Sequence, residues 1–393
     1  LIAMILDRIT SGLAKNSVTY KPREKSFLRR NKFWFLAITG VLFFYILSFI
    51  FPILNQWPES YFISPAKFIS NGLDIFILNF GTQIDYLKQV AFFFIMLPVK
   101  IGLQLSVSPY TWGFELTPFL ITAYFIIMML FASWCFLKFS KDVAIGIILF
   151  SIFIYFGLTN MPWLPLILIY GLIGFKIGGL KLSLTIVVSF LFITFTGVLP
   201  QALLSIYLCG IAVIISFILG SSLGIWAAHN DKVSAFMRPI NDTMQTMPSF
   251  VILIPFVMFF GIGEFTALLA IIAYAFVPAM RYTEHGLRNL PETVIEAARM
   301  IGCSQTQLLW KVKIPLAMPV IMLGLNQTIM FGLAMLVIAA LVGTTGLGQL
   351  IYIGLSKADF GTGMISGVSI ALIAIIFDRT TQAWRIKLEK KTQ

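Results

Sequence analysis

Residues 203–228 read LLSIYLCGIAVIISFILGSSLGIWAA, an uninterrupted run without one charged side chain. A helix of about 20 mostly apolar residues crosses the hydrocarbon of a bilayer, because its backbone donors and acceptors all pair within the segment. The run lacks the alternation of apolar and polar positions that marks a strand of an outer-membrane barrel. The rest of the 393-residue chain has the same character: 59% of its residues are hydrophobic and 11% charged, against about 25% charged in an ordinary soluble domain. A water-soluble globule must cover itself with polar groups and cannot use that much apolar surface. The composition therefore points to an all-α polytopic membrane protein.

The same reading gives ten spans, at 33–54, 117–137, 142–158, 163–179, 182–199, 203–228, 249–262, 264–283, 318–342 and 363–383. Charge sets their orientation. With the N-terminus in the cytoplasm, 24 of the 28 Lys and Arg residues fall on that side, and only Lys67, Lys88, Lys100 and Lys357 fall outside. This is the asymmetry of the positive-inside rule. Counting 90–107 as a further span would carry the later basic loops outside. Residues 55–116 are therefore placed on the outer side, with amphipathic helices at 61–105 lying in the interface. Trp57, Tyr61, Tyr86 and Trp112 suit an aromatic belt there. Residues 1–32 have a short apolar start and then a basic run, which reads as a cytoplasmic tail rather than a cleavable signal peptide. Cys135, Cys209 and Cys303 are scattered without a CxxC or a histidine cluster, and are expected to pack as small hydrophobes. No metal site is visible, and His229 and His285 sit where helices should leave the membrane.

The longest connection between late spans, 284–317, contains two short helices with a bend. Pro291 and Glu292 suit the first helical turn. Val294, Ala298 and Ile301 share one face, while Glu296 points the other way. Gly302 supplies the left-handed conformation that ends the first helix. Ser304 with Gln307 forms a capping-box pattern that starts the second. Leu308, Leu309 and Val312 give that helix an apolar face, and Pro315 is expected to stop it. Two amphipathic helices outside the membrane must rest on something, either the protein's own surface or a partner.

Glu296-Ala297-Ala298, Gly302 and the downstream Ile314-Pro315 resemble the EAA loop of permease subunits of ATP-binding-cassette (ABC) importers, the binding-protein-dependent inner-membrane components. The likeness extends over 203–384, which resembles the five-helix core of a type I importer permease with the loop between its third and fourth spans. The wording is most similar to that of the glycine betaine/proline betaine permeases. It is carried by Gly224-Ile225-Trp226-Ala227-Ala228, Met244-Gln245-Thr246-Met247-Pro248, Phe260-Gly261-Ile262-Gly263, Gly324-Leu325-Asn326-Gln327-Thr328 and Asp378-Arg379-Thr380-Thr381-Gln382. The spans at 117–158 are extra relative to the family's usual permease. On this division 1–32 and 385–393 are cytoplasmic tails and 33–202 is an N-terminal transmembrane region.

The resemblance implies that Glu296, Ala297, Ala298, Gly302 and Pro315 belong to a coupling helix and its flanks, seated on a separate ATP-binding subunit. ATP and magnesium would be held by that subunit, since the chain has no GxxxxGK[ST] phosphate loop and no cofactor of its own is implied. The other implied partners are an extracytoplasmic substrate-binding protein, expected as a separate chain, and a second permease copy, in a prokaryotic cytoplasmic membrane, expected to be that of a Gram-negative cell. Nucleic acid is not among them. Asn241, Gln245 and Pro248 fall where the chain re-enters the membrane and are candidates for a gate. Asn326 and Gln327 are polar within a span, suited to the pathway or to a helix–helix hydrogen bond. The substrate that the resemblance implies is a glycine betaine-type quaternary ammonium osmolyte, with choline, trimethylamine N-oxide or an amino acid as alternatives. An ion-coupled secondary transporter would show intramembrane carboxylates and an internal repeat; here Asp and Glu are nearly absent from the spans, with Glu115 and Glu264 at their ends and Asp378 near an inner boundary, and no repeat is evident.

Overall fold

The computed structural model describes residues 32–51, 65–104, 117–138, 141–156 and 163–392, together with residue 10. The basic segment before Lys32 lies outside the described residues, as do Trp57, Tyr61 and Trp112 of the expected aromatic belt. All regular structure among the described residues is helical.

The chain divides into two compact units, meeting at Gly81 and Thr82. The first contains α1 (Lys32–Ile50), apolar on every side and with no residue buried. An apolar helix that buries nothing against protein is suited to face lipid. The first unit also holds most of α2 (Pro65–Ala91), which carries charges and falls outside the helices apolar enough to cross a membrane. In the second unit α2 runs through a π-helical turn, Phe92–Met96, into α3 (Leu97–Gln104). A π turn displaces the normal pairing: the Leu97 N–H bonds the Phe92 carbonyl, and the Met96 carbonyl accepts from Tyr207 Oη at 3.1 Å. Met96 itself is fully buried.

Helices α4 (Pro118–Lys138) and α5 (Lys141–Phe156) pack as a pair, with Tyr124 Oη donating to the Ser151 carbonyl at 3.0 Å. Cys135 is buried there, and Cys209 is buried in the main core.

Helix α6 (Trp163–Phe195) is a hairpin. Its backbone breaks at Gly179, where φ is 75° and ψ −165°. Ser183 Oγ donates to the Gly171 carbonyl at 2.8 Å, and the Tyr170 and Phe190 rings stack with centroids 4.9 Å apart. In a straight helix those pairs would be separated by about 18 and 30 Å, at 1.5 Å per residue. The arms 163–178 and 180–195 therefore lie side by side, as two of the spans expected from sequence. Glycine at 171 and 174 lets them close, since a Cβ at either would fall within 2.8 Å of Val187 or Ile186.

Seven helices are long and apolar enough to cross a membrane if α6 counts once, and eight if a bent pair described below is one span. The expected ten exceed that number among the described residues; they require each arm of α6 and the 16-residue α5 to cross as well.

The core of the second unit is built by α7 (Leu199–His229), α10 (Glu264–Arg288) and α13 (Ile314–Ala339), with α15 (Phe360–Thr392) packed across α13 and the α6 hairpin. Lipid tails are as apolar as leucine, so helices associate in a bilayer through close packing rather than through escape from water. Small residues make that possible here. A Cβ on Gly220 would stand 2.5 Å from the Phe276 carbonyl, and one on Gly224 2.6 Å from that of Met280. Ala212, Ala267, Ala270, Ala275 and Ala279 are fully buried around this contact.

Helix α8 (Asp231–Thr246) is amphipathic and meets α9 (Ser249–Phe260) at a bend of 104°. The loop after α10 holds α11 (Glu292–Met300) and the single turn α12 (Gln305–Gln307), and α14 (Leu347–Ser356) precedes α15.

Candidate functional site

The loop between α10 and α13 is rooted by Arg288. Its guanidinium pairs with Asp231 at 2.8 Å and Glu284 at 3.0 Å, and donates to the Ala227 carbonyl at 2.7 Å. Ser234 Oγ also donates to Glu284, at 2.6 Å. One side chain thus holds together the ends of α7, α8 and α10, and the loop leaves from a fixed point.

Helix α11 is built as its sequence dictates, with two differences. Pro291 sits at the N-cap, one residue before the first turn, with Glu292 inside that turn as expected. Of the three residues expected to share a face, Ala298 is buried, but Ile301 is 83% exposed. The helix ends at Met300, and Ile301 is already turning away. Gly302 has φ 85°. Its N–H bonds the Arg299 carbonyl at 2.9 Å and the Cys303 N–H bonds that of Ala298 at 3.3 Å. Those two bonds are a Schellman stop, which needs the left-handed residue. Ser304 and Gln307 then form the full capping box, with bonds of 3.0 and 3.3 Å.

Pro315 does not stop the second helix. The chain passes from α12 through a π-helical turn, Leu308–Lys313, directly into α13, where Pro315 occupies the first turn. Proline lacks the N–H that an α-helix requires. Here the wider turn has already shifted the pairing, with the Ile314 N–H bonding the Leu309 carbonyl five residues back.

The result is a short helix held away from the membrane helices on a rigid base. Glu296 and Ala297 are exposed, Ala298 faces inward, and Met300, Ile301 and Trp310 leave 89%, 83% and 62% of their surfaces free. Apolar side chains exposed in this way are what an interaction surface presents.

The other candidate residues separate into two groups. Asn241 and Gln245 line a cavity of about 780 Å³ between α8 and the end of α10, together with Arg238, Asp242, Arg281 and His285. Arg281 and Asp242 form an ion pair across it. Asn241 is buried; its Nδ2 reaches the Met280 sulfur at 3.4 Å and its Oδ1 has no hydrogen-bond partner. Pro248 is the exposed N-cap of α9, at the bend. Asn326 lies elsewhere. It donates to Asp378 at 2.8 Å and accepts from Thr381 at 2.9 Å, so it joins α13 to α15. Gln327 is half-buried beside it.

Two arrangements escaped the sequence reading. Gly220 and Gly224 form a GxxxG spacing in an apolar run, a signal that would have located the α7–α10 contact. Lys100 pairs with Glu264 at 2.6 Å across 164 residues. No local pattern announces a contact at that separation.

These features define a multi-pass membrane protein carrying a structured loop on one face. Residues 220–385 match the family described as "Binding-protein-dependent transport system inner membrane component". The chain is 36% identical over 266 residues to the glycine betaine transport system permease protein OpuAB of Bacillus subtilis, covering 67% of this chain and 94% of that one. It is 40% identical over 226 residues to the glycine betaine/proline betaine transport system permease protein ProW of Escherichia coli, covering 58% of this chain and 64% of that one. It is 32% identical over 399 residues to the trimethylamine N-oxide transport system permease protein TmoV of Pelagibacter ubique, covering 99% of this chain and 48% of that one. The chain belongs to the family of binding-protein-dependent transport system inner membrane components. It spans under two thirds of ProW and about half of TmoV.

Proposed function

We propose that this chain is the membrane-spanning subunit of an ATP-driven importer for small methylated osmolytes of the glycine betaine type. The observation that carries the reading is the loop: an exposed Glu296-Ala297 helix, ended by Gly302 and fixed at its root by Arg288, in a chain that aligns with 94% of a glycine betaine permease. A separate ATP-binding subunit would seat α11 in a groove, with Met300, Ile301 and Trp310 at the contact. Closure of two such subunits on ATP would bias the spans between two arrangements. Two permease copies would form the pathway, and a binding protein would deliver substrate from the opposite face.

The loop face is assigned to the cytoplasm. Arg238, Arg281, Arg288, Arg299, Lys311 and Lys313 gather there, as the positive-inside rule requires. The α8–α10 cavity with Asn241 and Gln245 then opens inward, in a place suited to substrate exit.

A second reading concerns the substrate. The alignment with the trimethylamine N-oxide permease covers 99% of this chain, against 58% and 67% for the other two, which favours that compound as a competing cargo. The test is uptake into proteoliposomes holding the permease, its co-purified ATP-binding subunit and its binding protein, with labelled glycine betaine and labelled trimethylamine N-oxide. ATP-dependent uptake of one, blocked without the binding protein, is expected. Uptake of neither, or uptake indifferent to ATP, would overturn the reading.

A further inference from the structure

We propose that the cavity between the segment 85–100 and the start of α10 is a binding site for a small zwitterion bearing a fully methylated nitrogen, where an aromatic wall adjoins a carboxylate oxygen that has no donor; the inference rests on the osmolyte reading above. The cavity measures about 400 Å³, within the range of small-molecule sites. It lies at the first residue of α10, about 37 Å along that helix from the loop face at 1.5 Å per residue.

The site is assembled from distant parts of the chain. Asp85, Lys88, Phe92 and Phe93 come from one face of α2 and its π turn, at intervals of three, four and eight residues that keep them together. Phe265 and Glu264 come from α10, and Lys100 from α3. Phe265 is buried and held by an edge-on contact with Phe260, centroids 5.4 Å apart.

The polar groups are unequally satisfied. Glu264 Oε1 accepts from Lys100 Nζ at 2.6 Å and from Thr345 Oγ1 at 3.2 Å. Glu264 Oε2 is buried and has no hydrogen-bond partner among the described residues. A carboxylate oxygen withdrawn from water without compensation is costly, and a nearby positive charge offsets that cost. A methylated ammonium has no N–H to donate, but its charge is attracted both by a carboxylate and by aromatic faces. Phe92, Phe93 and Phe265 supply such faces. Lys88 Nζ gives one bond to the Phe260 carbonyl, at 3.1 Å, and an ammonium has three protons. The remaining two are available to the anionic end of the ligand. Two carboxylates and two ammonium groups balance, so a neutral zwitterion enters without leaving net charge behind.

Phe93 is 59% exposed, so its replacement leaves the core intact and makes it the informative position. The permease complexed with its ATP-binding subunit, in lipid nanodiscs and without binding protein, is titrated with carbon-14 glycine betaine. Saturable binding is expected, competed by trimethylamine N-oxide but not by glycine. Phe93→Leu, apolar but without a π face, should weaken it at least tenfold; Phe93→Trp should preserve or tighten it; Asp85→Asn should weaken it. Absence of saturable binding, or binding unaltered in Phe93→Leu, overturns the site. Binding-protein-dependent uptake measured in parallel separates the two failures. Uptake without direct binding removes this site alone, whereas loss of all osmolyte uptake removes the functional reading beneath it.

Discussion

Asn326 Nδ2 donates to Asp378 Oδ1 at 2.8 Å, and Gln382 Nε2 donates to the same carboxylate at 2.7 Å, so a half-buried acid on α15 is held by neutral amides from two places. Thr381 closes the set by donating to Asn326 Oδ1 at 2.9 Å. Changing Asn326 to Ala removes the only one of these groups that comes from α13. Interhelical hydrogen bonds in membrane proteins average about 0.6 kcal/mol and reach about 1.7. A lowered unfolding temperature in detergent is expected, consistent with a loss near the top of that range because Asp378 also loses a donor. An unchanged melting curve would remove the network as a link between α13 and α15.

At Gly302 the space around the residue is open, and a Cβ there would meet nothing within 4 Å among the described residues. Only the backbone, at φ 85°, resists a side chain. A β-branched residue there carries strain of about 1–3 kcal/mol, whereas Asn tolerates the left-handed region. Gly302→Val should therefore disrupt the stop after α11 and cut ATP-driven uptake about tenfold or more. Insertion and expression should stay normal, and Gly302→Asn should retain most of the activity. Equal uptake in all three proteins would sink the proposed role of the loop.

The local chemistry of that loop was legible because it is local. Gly302, Ser304 and Gln307 act on neighbours within five residues, and spacing alone reveals them. The hairpin arms at 163–178 and 180–195 were legible for the same reason, being two apolar runs separated by a glycine. Pro315 misled because a proline reads as a stop unless the preceding turn is known to be widened. Lys100–Glu264 and Asn326–Asp378 were hidden, since partners 164 and 52 residues apart are brought together only by the packing of whole helices.

The connection before α15 has a pH signature. Asp359 accepts from the Thr362 hydroxyl at 2.6 Å and from the Thr362 N–H at 3.2 Å. The hydroxyl, then that N–H, hold its carboxyl below the ordinary aspartate value of 3.8. A depressed pKa means that the ionised form is favoured in the folded state. Its stabilisation of the first turn is complete above the ordinary value and is lost as pH falls through the folded one. Hydrogen exchange at Thr362 and Gly363 should accelerate, beyond its intrinsic pH dependence, only in strongly acidic solution. Asp359→Asn should abolish that extra dependence.

Close packing of α7 on α10 makes a sharper prediction. A Cβ at Gly224 would meet the Met280 carbonyl at 2.6 Å and the Thr283 Cβ at 2.8 Å. Neither neighbour is the flexible end of a side chain, so the helices must part. Overpacking of this kind costs about 1–3 kcal/mol for modest additions, and Gly224→Leu adds far more than a methyl. Folded protein recovered from membranes should fall severely, while Gly210→Leu, where a Cβ meets nothing within 4 Å, should be tolerated. Size-exclusion profiles of the two variants decide it.

Lys100 and Glu264 retain 24% and 15% of their side-chain exposure, so the pair is neither a surface bridge nor a fully buried one. Removing one partner of a buried pair costs about 3–5 kcal/mol, because the other charge is left unpaired, and partial solvation should reduce this to about 2 kcal/mol. Lys100→Met strands Glu264, whose remaining partner is Thr345 at 3.2 Å and whose second oxygen already lacks one. The α3 segment should then detach more readily from α10. Adding Glu264→Gln removes the stranded charge. The double variant is therefore expected to be more stable than Lys100→Met alone, recovering at least half of the loss in a chemical or thermal unfolding series. Strict additivity of the two single changes would show that the ion pair does not couple the segment to the core, and that Met96 and Tyr207 hold it unaided.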